Sequence, residues 1–257
     1  SKIITSHSHD SPILAVSFDA TGSRVSVCGR DGSLKIVDVQ TGEICLGIAH
    51  GGNVSAVAWS TDHQRVAMGH SDGTVTFSDI QSDSGIISLH AHTDRIYYLA
   101  WSPDGRRLAT ASANQFYAQI WDLDSRQPVF DPLRHSHAIL SMAWSTEGRK
   151  LATGSSDQTV KVWNTDNGQE TVTVRGHFDA VYSLSWGPED RQIASGGVDG
   201  SVKIWTSLQD QESLNLPGTI RATAAIWSPD GTRLASGIDD GLVRIWNRTH
   251  LETVVSL

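Results

Sequence analysis

Apolar and polar positions alternate along this chain in short runs, and the runs recur. In Gly176 to Trp205, GHFDAVYSLSWGPEDRQIASGGVDGSVKIW, one apolar run closes at Trp186 and a second passes through Ile193-Ala194-Ser195. Asp199-Gly200 then turns the chain into a third run ending at Trp205. Period-two alternation bounded by turn dipeptides predicts short β-strands. With His177 as position zero, Trp186 lies at +9, Ser195 at +18, Asp199 at +22 and Trp205 at +28, and these offsets recur five more times. The first run of each copy ends on Phe18, Trp59, Trp101, Trp144, Trp186 or Trp227, at spacings of 41, 42, 43, 42 and 41 residues. A period this regular predicts a repeat array. Its units fall at about 6–48, 49–90, 91–134, 135–174, 175–216 and 217–257, in one domain over 1–257.

Each unit divides into four strands. In the fourth, Ile139 to Trp144 is the first, Leu151 to Gly154 the second, Val160 to Trp163 the third and Thr171 to Val174 the fourth, with turns at Ser145 to Gly148, Ser156 to Gln158 and Asp166 to Gly168. A sheet of this size cannot bury both of its apolar faces alone, and stacking such sheets radially buries both. Six copies of the first three strands stand against seven candidates for the fourth, because Lys2 to Thr5 precedes the first unit and Thr253 to Leu257 follows the last. Two readings stay open. Either six sheets close into a ring, which needs only one of those segments, or the chain is a piece of a longer array.

Composition sharpens this picture. Nine Trp and 23 Gly beside two Met favour all-β structure, and a formal charge of −8 gives no broad attraction to nucleic acid or to an anionic membrane. No stretch approaches the ~18 apolar residues of a membrane helix. Cys28 and Cys45 fall on predicted strands and are expected to be reduced, packed thiols. The opening SKIITSHSHD lacks an initiator Met and an apolar signal block, as the start of a fragment would. An intracellular, cytoplasmic location is the expectation.

The units resemble WD40 repeats over essentially the whole chain, in their length, in Gly176-His177, in Trp121-Asp122 and in the variants Trp163-Asn164 and Trp246-Asn247. The resemblance implies a β-propeller of four-stranded blades, six of them visible: either six blades close with the N-terminal strand completing the last sheet in the family's ring-locking manner, or the chain is part of a longer ring, commonly seven-bladed in the family. It also implies a hydrogen-bonded structural tetrad in each good blade: His135, Thr153, Asp157 and Trp163 in the fourth unit, His177, Ser195, Asp199 and Trp205 in the fifth. A carboxylate at a buried turn needs donors, which an imidazole, a hydroxyl and an indole can supply in a chain. The third unit keeps His92, Thr110 and Trp121, with Asn114 in the acid's place and one extra residue in the turn Asn114 to Tyr117. The sixth has Ser236, Asp240 and Trp246 but Gly218 for His. In the first, His9 and Asp31 stand beside Val27 and Val37; in the second, His50 and Asp72 beside Met68 and Ser78. Those two units must satisfy their carboxylates in another way.

Catalytic and metal chemistry fit poorly. Gly69 to Gly73 matches G-x-S-x-G, but that nucleophile elbow needs a following helix, whereas Thr74 to Phe77 reads as strand, leaving Ser71 a turn residue. His-x-His occurs at His7/His9, His90/His92 and His135/His137, yet one member of each pair is the repeat's own histidine and no third metal ligand is identifiable. Ser, His and Asp recur together in several units, as architecture does, while a catalytic triad would be expected once. The expectation is no enzyme, no cofactor and no metal.

Binding should then fall on variable rim positions. In WD40 proteins these include +3, +5 and the residue before the Asp. The anchors selected there are Arg30, Arg95, Tyr97, Tyr182 and Arg221, with Leu14 and Leu140, because Tyr and Arg are enriched at binding hot spots. This mixed apolar and cationic set suits an acidic peptide or protein segment. The expected function is a noncatalytic protein-interaction scaffold, or the sensing and docking domain of a larger protein. The alternatives are a reader of nucleic acid or modified peptides and, behind it, an enzyme using the propeller channel.

Overall fold

The computed structural model describes residues 11–18, 21–49, 53–62, 64–79, 86–112, 114–207, 212–216, 221–228, 230–239, 241–247 and 253–256. His7, His9, His50, Ala113, Gly218, Asp240 and the segment 2–5 lie outside them. Among the described residues no helix is long and apolar enough to cross a membrane.

Six antiparallel sheets follow one another along the chain. The first holds β1 (Ile13–Phe18), β2 (Arg24–Gly29), β3 (Ser33–Asp38) and β4 (Ile44–Ala49); the second β5 (Val54–Trp59), β6 (Arg65–His70), β7 (Thr74–Asp79) and β8 (Ile87–His90). The third has β9 (Ile96–Trp101), β10 (Arg107–Ser112), β11 (Tyr117–Asp122) and two short pieces, β12 (Gln127–Pro128) and β13 (Leu133–Arg134). The fourth consists of β14 (Ile139–Trp144), β15 (Lys150–Ser155), β16 (Thr159–Asn164) and β17 (Glu170–Arg175). The fifth has β18 (Val181–Trp186), β19 (Ile193–Gly197), β20 (Val202–Ser207) and β21 (Glu212–Leu216); the sixth has β22 (Ala222–Trp227), β23 (Arg233–Ile238), β24 (Val243–Asn247) and β25 (Thr253–Ser256). The later three strands of the fourth sheet each run one residue further at both ends than alternation predicts. Backbone pairing continues there past the last apolar side chain.

Two departures matter. The outer strand of the third sheet is broken, with β12 and β13 both pairing with β11 on either side of 129–132. Pro128 and Pro132 supply no N–H to a ladder, which is why an unbroken strand does not form there. The outer strand of the sixth sheet comes from the C-terminal candidate, since β25 pairs with β24.

Two compact units are formed, one of Ser1–Gln115 with Gln119–Val129 and the other of Phe116–Ala118 with Phe130–Leu257. In each, the apolar core sits between successive sheets. Cys28, Leu34, Val54, Val66 and Met68 fill the space between the first and second. Val75, Phe77, Ile96, Leu99 and Trp101 fill that between the second and third. In the other unit Val160, Val162, Val181, Trp186 and Trp205 join the fourth and fifth, and Val202, Ile204, Ala222, Trp227 and Trp246 the fifth and sixth. A size rule governs this packing. A Cβ added to Gly69 would come within 2.4 Å of Ile96, and one added to Gly154 within 2.8 Å of Val181, so position +19 must be small where the next sheet's +4 side chain enters. Cys28 occupies that same +19 place and is buried, its thiol pushed up to about 12 by burial and then by the Asp31 charge. Cys45 corrects the expectation of two packed thiols: on the outermost strand β4 it is exposed.

Candidate docking surface

The polar chains come first, because they fix the turns. In the fifth sheet Trp205 Nε1–H donates to Ser195 Oγ (2.8 Å), Ser195 Oγ lies 2.7 Å from His177 Nε2, and His177 Nδ1 lies 2.9 Å from Asp199. Ser195 accepts from the indole and donates to Nε2, which puts the imidazole proton on Nδ1, facing the carboxylate. His177 is held neutral: burial lowers its pKa more than the Asp199 charge raises it. The pair is therefore a hydrogen bond from a neutral ring to a carboxylate, although the separation would also admit an ion pair. Asp199 also accepts from the Phe178 N–H and from the N–H and hydroxyl of Ser201. Burial pushes its pKa up, but these donors outweigh it and hold the carboxyl below its ordinary value. The fourth sheet repeats the chain: Trp163 Nε1 to Thr153 Oγ1 at 2.8 Å, Thr153 to His135 Nε2 at 2.7 Å, and His135 Nδ1 to Asp157 at 2.8 Å.

In the third sheet the chain survives with a substitute. His92 bonds Thr110 through Nε2 (2.9 Å), Trp121 donates to Thr110 (3.0 Å), and the acceptor facing His92 Nδ1 is Gln115 Oε1 (2.8 Å). Asn114 does not take the acid's place; its amide turns away and donates to Asp94. The extra turn residue shifts the acceptor one position along the chain. Asp31 and Asp72 are exposed and are capped within their own turns, by Ser33 and Thr74 respectively. In the sixth sheet Trp246 still donates to Ser236, at 2.9 Å.

Several groups that the sequence offered as catalytic or metal-ligating are engaged within these chains or lie in turns. Ser195 is fully buried with its hydroxyl already engaged. Both nitrogens of His92 and of His135 are occupied, while His137 is exposed and stacks on Phe116. Ser71 sits in the turn between β6 and β7.

With the turns fixed, the connection entering each first strand and the turn between second and third strands lie at one end of every sheet. Backbone bonds tie them. The N–H of the residue before the Asp donates to the +3 carbonyl in five sheets: Arg30 to Pro12, Ser71 to Asn53, Ser156 to Ala138, Val198 to Ala180 and Asp239 to Arg221. A β-bulge follows in all six, and its extra residue is always +5: Leu14, Ser55, Tyr97, Leu140, Tyr182 and Thr223. A bulge frees one residue from the ladder and re-aims its side chain. Ser55 and Thr223 turn their hydroxyls back onto backbone carbonyls. Leu14 and Tyr97 are exposed, and Leu140 and Tyr182 half-buried.

Arg30 and Leu14 are exposed at the bulged end of the first sheet and Arg95 and Tyr97 at that of the third, and Arg221, entering the sixth sheet, stacks over the Tyr182 ring of the fifth, 4.0 Å from its centre. The selected residues thus divide, Leu14, Arg30, Arg95 and Tyr97 in one unit and Leu140, Tyr182 and Arg221 in the other. Sequence reasoning missed Phe178, which is 84% exposed at +1. The signal was present, because the other units place Asp10, Gly51, Thr93, Ser136 and Thr219 there.

Comparison with known proteins gives a family. The model of the WD domain, G-beta repeat, matches residues 1–38, 127–164, 168–206 and 212–247, more than half of the chain, and that of the anaphase-promoting complex subunit 4 WD40 domain matches 46–104. Among curated relatives, Autophagy-related protein 16 of Arabidopsis thaliana is 32% identical over 113 residues, covering 42% of this chain and 22% of the relative. WD repeat-containing protein 1 of Xenopus tropicalis is 30% identical over 90 residues, covering 34% of this chain and 15% of the relative. Cell division cycle 20.4, cofactor of APC complex, of Arabidopsis thaliana is 26% identical over 111 residues, covering 42% and 24%. The matched region is thus under a quarter of each of these relatives' length.

Proposed function

The chain belongs to the WD40-repeat family, and we propose that it is a noncatalytic scaffold that docks protein partners through the bulged end of its sheets. The observation that carries this is the +5 bulge repeated in all six sheets. A bulge frees one side chain of each first strand from the ladder, and where that residue is Leu14 or Tyr97 the side chain is exposed for a partner to grip. Tyr97 and Tyr182 among them, with Arg95 and Arg221 two residues before each first-strand bulge, have the composition of binding hot spots. The partner is an acidic protein segment: Arg30 and Arg95 lie at the bulged ends of the first and third sheets and Arg221 at that of the sixth, in a chain whose overall charge is −8. The relative named as a cofactor of the APC complex favours work inside an assembly.

The test is affinity capture with mass spectrometry, comparing the unaltered chain with Tyr97→Ala/Arg95→Ala and with Tyr182→Ala/Arg221→Ala. Partners captured by the unaltered chain are expected to be lost from at least one double variant whose thermal unfolding is unchanged. Identical capture by all three places the docking surface elsewhere.

A further inference from the structure

We propose that Tyr182, Arg221 and Phe178 form a subsite for one side-chain carboxylate that stands next to an apolar side chain in the partner segment. This rests on the docking reading above and specifies what one part of that surface recognises.

The Arg221 guanidinium lies 4.0 Å from the centre of the Tyr182 ring, so the stack joins the sixth sheet's entry to the fifth sheet's bulge. Stacking holds the planar fork in one orientation before any ligand arrives, which removes an entropic cost of binding. Nε of Arg221 is closed off from solvent and finds no acceptor among the described residues, and no described carboxylate forms an ion pair with this side chain. The residue as a whole stays half-exposed, leaving its terminal nitrogens to meet an incoming anion. A fixed cation with no anionic partner among the described residues is where a charge-assisted hydrogen bond gains most.

Phe178 supplies the apolar neighbour. Its ring is 84% exposed while its own N–H is bonded to Asp199 at 2.9 Å, so an anchored backbone presents a large apolar side chain to solvent. It stands four residues before Tyr182 at the same end of the same sheet.

The anion is a carboxylate and not a phosphate because of the charges already present. The exposed Asp239 is tied to Arg221 by its backbone N–H, at 3.0 Å, and the exposed Asp179 follows Phe178 directly. For a phosphate near charge −2 the repulsion from these two and the attraction to the single guanidinium both double, while the cost of taking the anion out of water rises faster than its charge, so one guanidinium compensates a carboxylate better.

The experiment selects binders from a random phage-displayed dodecapeptide library on the immobilised chain and measures the enriched peptides by fluorescence polarisation. Enriched peptides are expected to carry Asp or Glu beside Phe, Leu, Ile or Trp. Replacing that acid by its amide should weaken binding on the order of tenfold or more, and phosphoserine in its place should bind more weakly than the acid. Arg221→Gln and Arg221→Lys should both weaken binding, the lysine because it has no planar fork. Phe178→Ser, at an exposed position that leaves the fold intact, should weaken it too and stands in if the arginine variants unfold. The subsite is overturned if nothing is enriched, if the binders lack a carboxylate, if phosphoserine binds tighter, or if folded Arg221→Gln and Phe178→Ser bind as well as the unaltered chain. Binding that survives these changes but is lost in Tyr97→Ala/Arg95→Ala sinks this subsite and leaves the docking reading standing; binding indifferent to both sinks both.

Discussion

Trp186 donates its indole N–H to the carbonyl of Ala143 at 2.9 Å, joining the fifth sheet's first strand to the fourth's. Trp101 makes the same bond to Ala58 at 3.0 Å. Trp227 occupies the equivalent place in the sixth sheet, but its Nε1 is buried without an acceptor among the described residues; Ser185 bonds its backbone N–H instead. Two Trp→Phe changes at one register position should therefore differ. Trp186→Phe removes a made bond and strands a carbonyl, costing about 1–3 kcal/mol beyond the lost ring area, whereas Trp227→Phe removes an unmet donor and should cost less by that amount. Urea unfolding of the two variants checks this, and equal losses would contradict it.

Gly197 is glycine because of what lies beside it. An added Cβ would stand 2.5 Å from His177 Nδ1 and 2.7 Å from Asp199 Oδ1, where the imidazole and carboxylate meet. Gly197→Ala should force the pair apart and cost about 2 kcal/mol or more. Gly47→Ala on the exposed strand β4 meets no atom within 4 Å and should change stability by less than about 0.5 kcal/mol. Thermal melts of the two alanine variants provide the comparison.

The repeat was legible because it depends on identities at fixed offsets, and the resemblance to WD40 repeats implied the polar chains. His177, Ser195, Asp199 and Trp205 stand at the offsets where that family carries its tetrad. The bulge at Tyr182 was not legible: Val181-Tyr182-Ser183 looks like any alternating strand, and the extra residue shows only when partners across the ladder are counted. The indole bond of Trp186 was hidden for a related reason, since its acceptor is a backbone carbonyl that every sequence possesses. Cys45 was misplaced because alternation assigns a face to a side chain without showing whether another sheet covers that face.

Gln115, and not Asn114, closes the third sheet's polar chain, and its amide nitrogen also donates to Thr93 at 2.6 Å. Gln115→Ala should cost about 1–3 kcal/mol by leaving the buried His92 Nδ1 without its acceptor, more than Asn114→Ala at an exposed turn position. Gln115→Glu supplies the carboxylate that the fourth and fifth sheets use. Burial now lowers the His92 pKa while the Gln115 bond raises it, and a negative charge at that point should raise it further. NMR titration of the His92 ring in the two forms reads the shift; an unchanged or lower value in Gln115→Glu would argue against the assigned contact.

Acid should weaken the fold in two stages. Burial lowers the pKa of His70, His92 and His177, against smaller raising effects from Asp72, Gln115 and Asp199 respectively. Unfolded imidazoles take up protons near pH 6.5, whereas these folded ones take them up only at lower pH. Between the two values the unfolded chain binds more protons, so stability is full above about pH 6.5 and declines as pH falls below it. Asp157 and Asp199 act lower down. Burial raises both, but donors outweigh it, led by His135 for Asp157 and by the Ser201 hydroxyl for Asp199, and each carboxyl ends below its ordinary value. Their contribution is full above the unfolded carboxyl value of about 3.9 and is lost beneath it. The urea midpoint should therefore be level from pH 8 to 7, fall between 6.5 and 5, and fall again below 4. A midpoint that stays constant from pH 7 to 5 would mean that the three imidazoles are not buried as neutral rings.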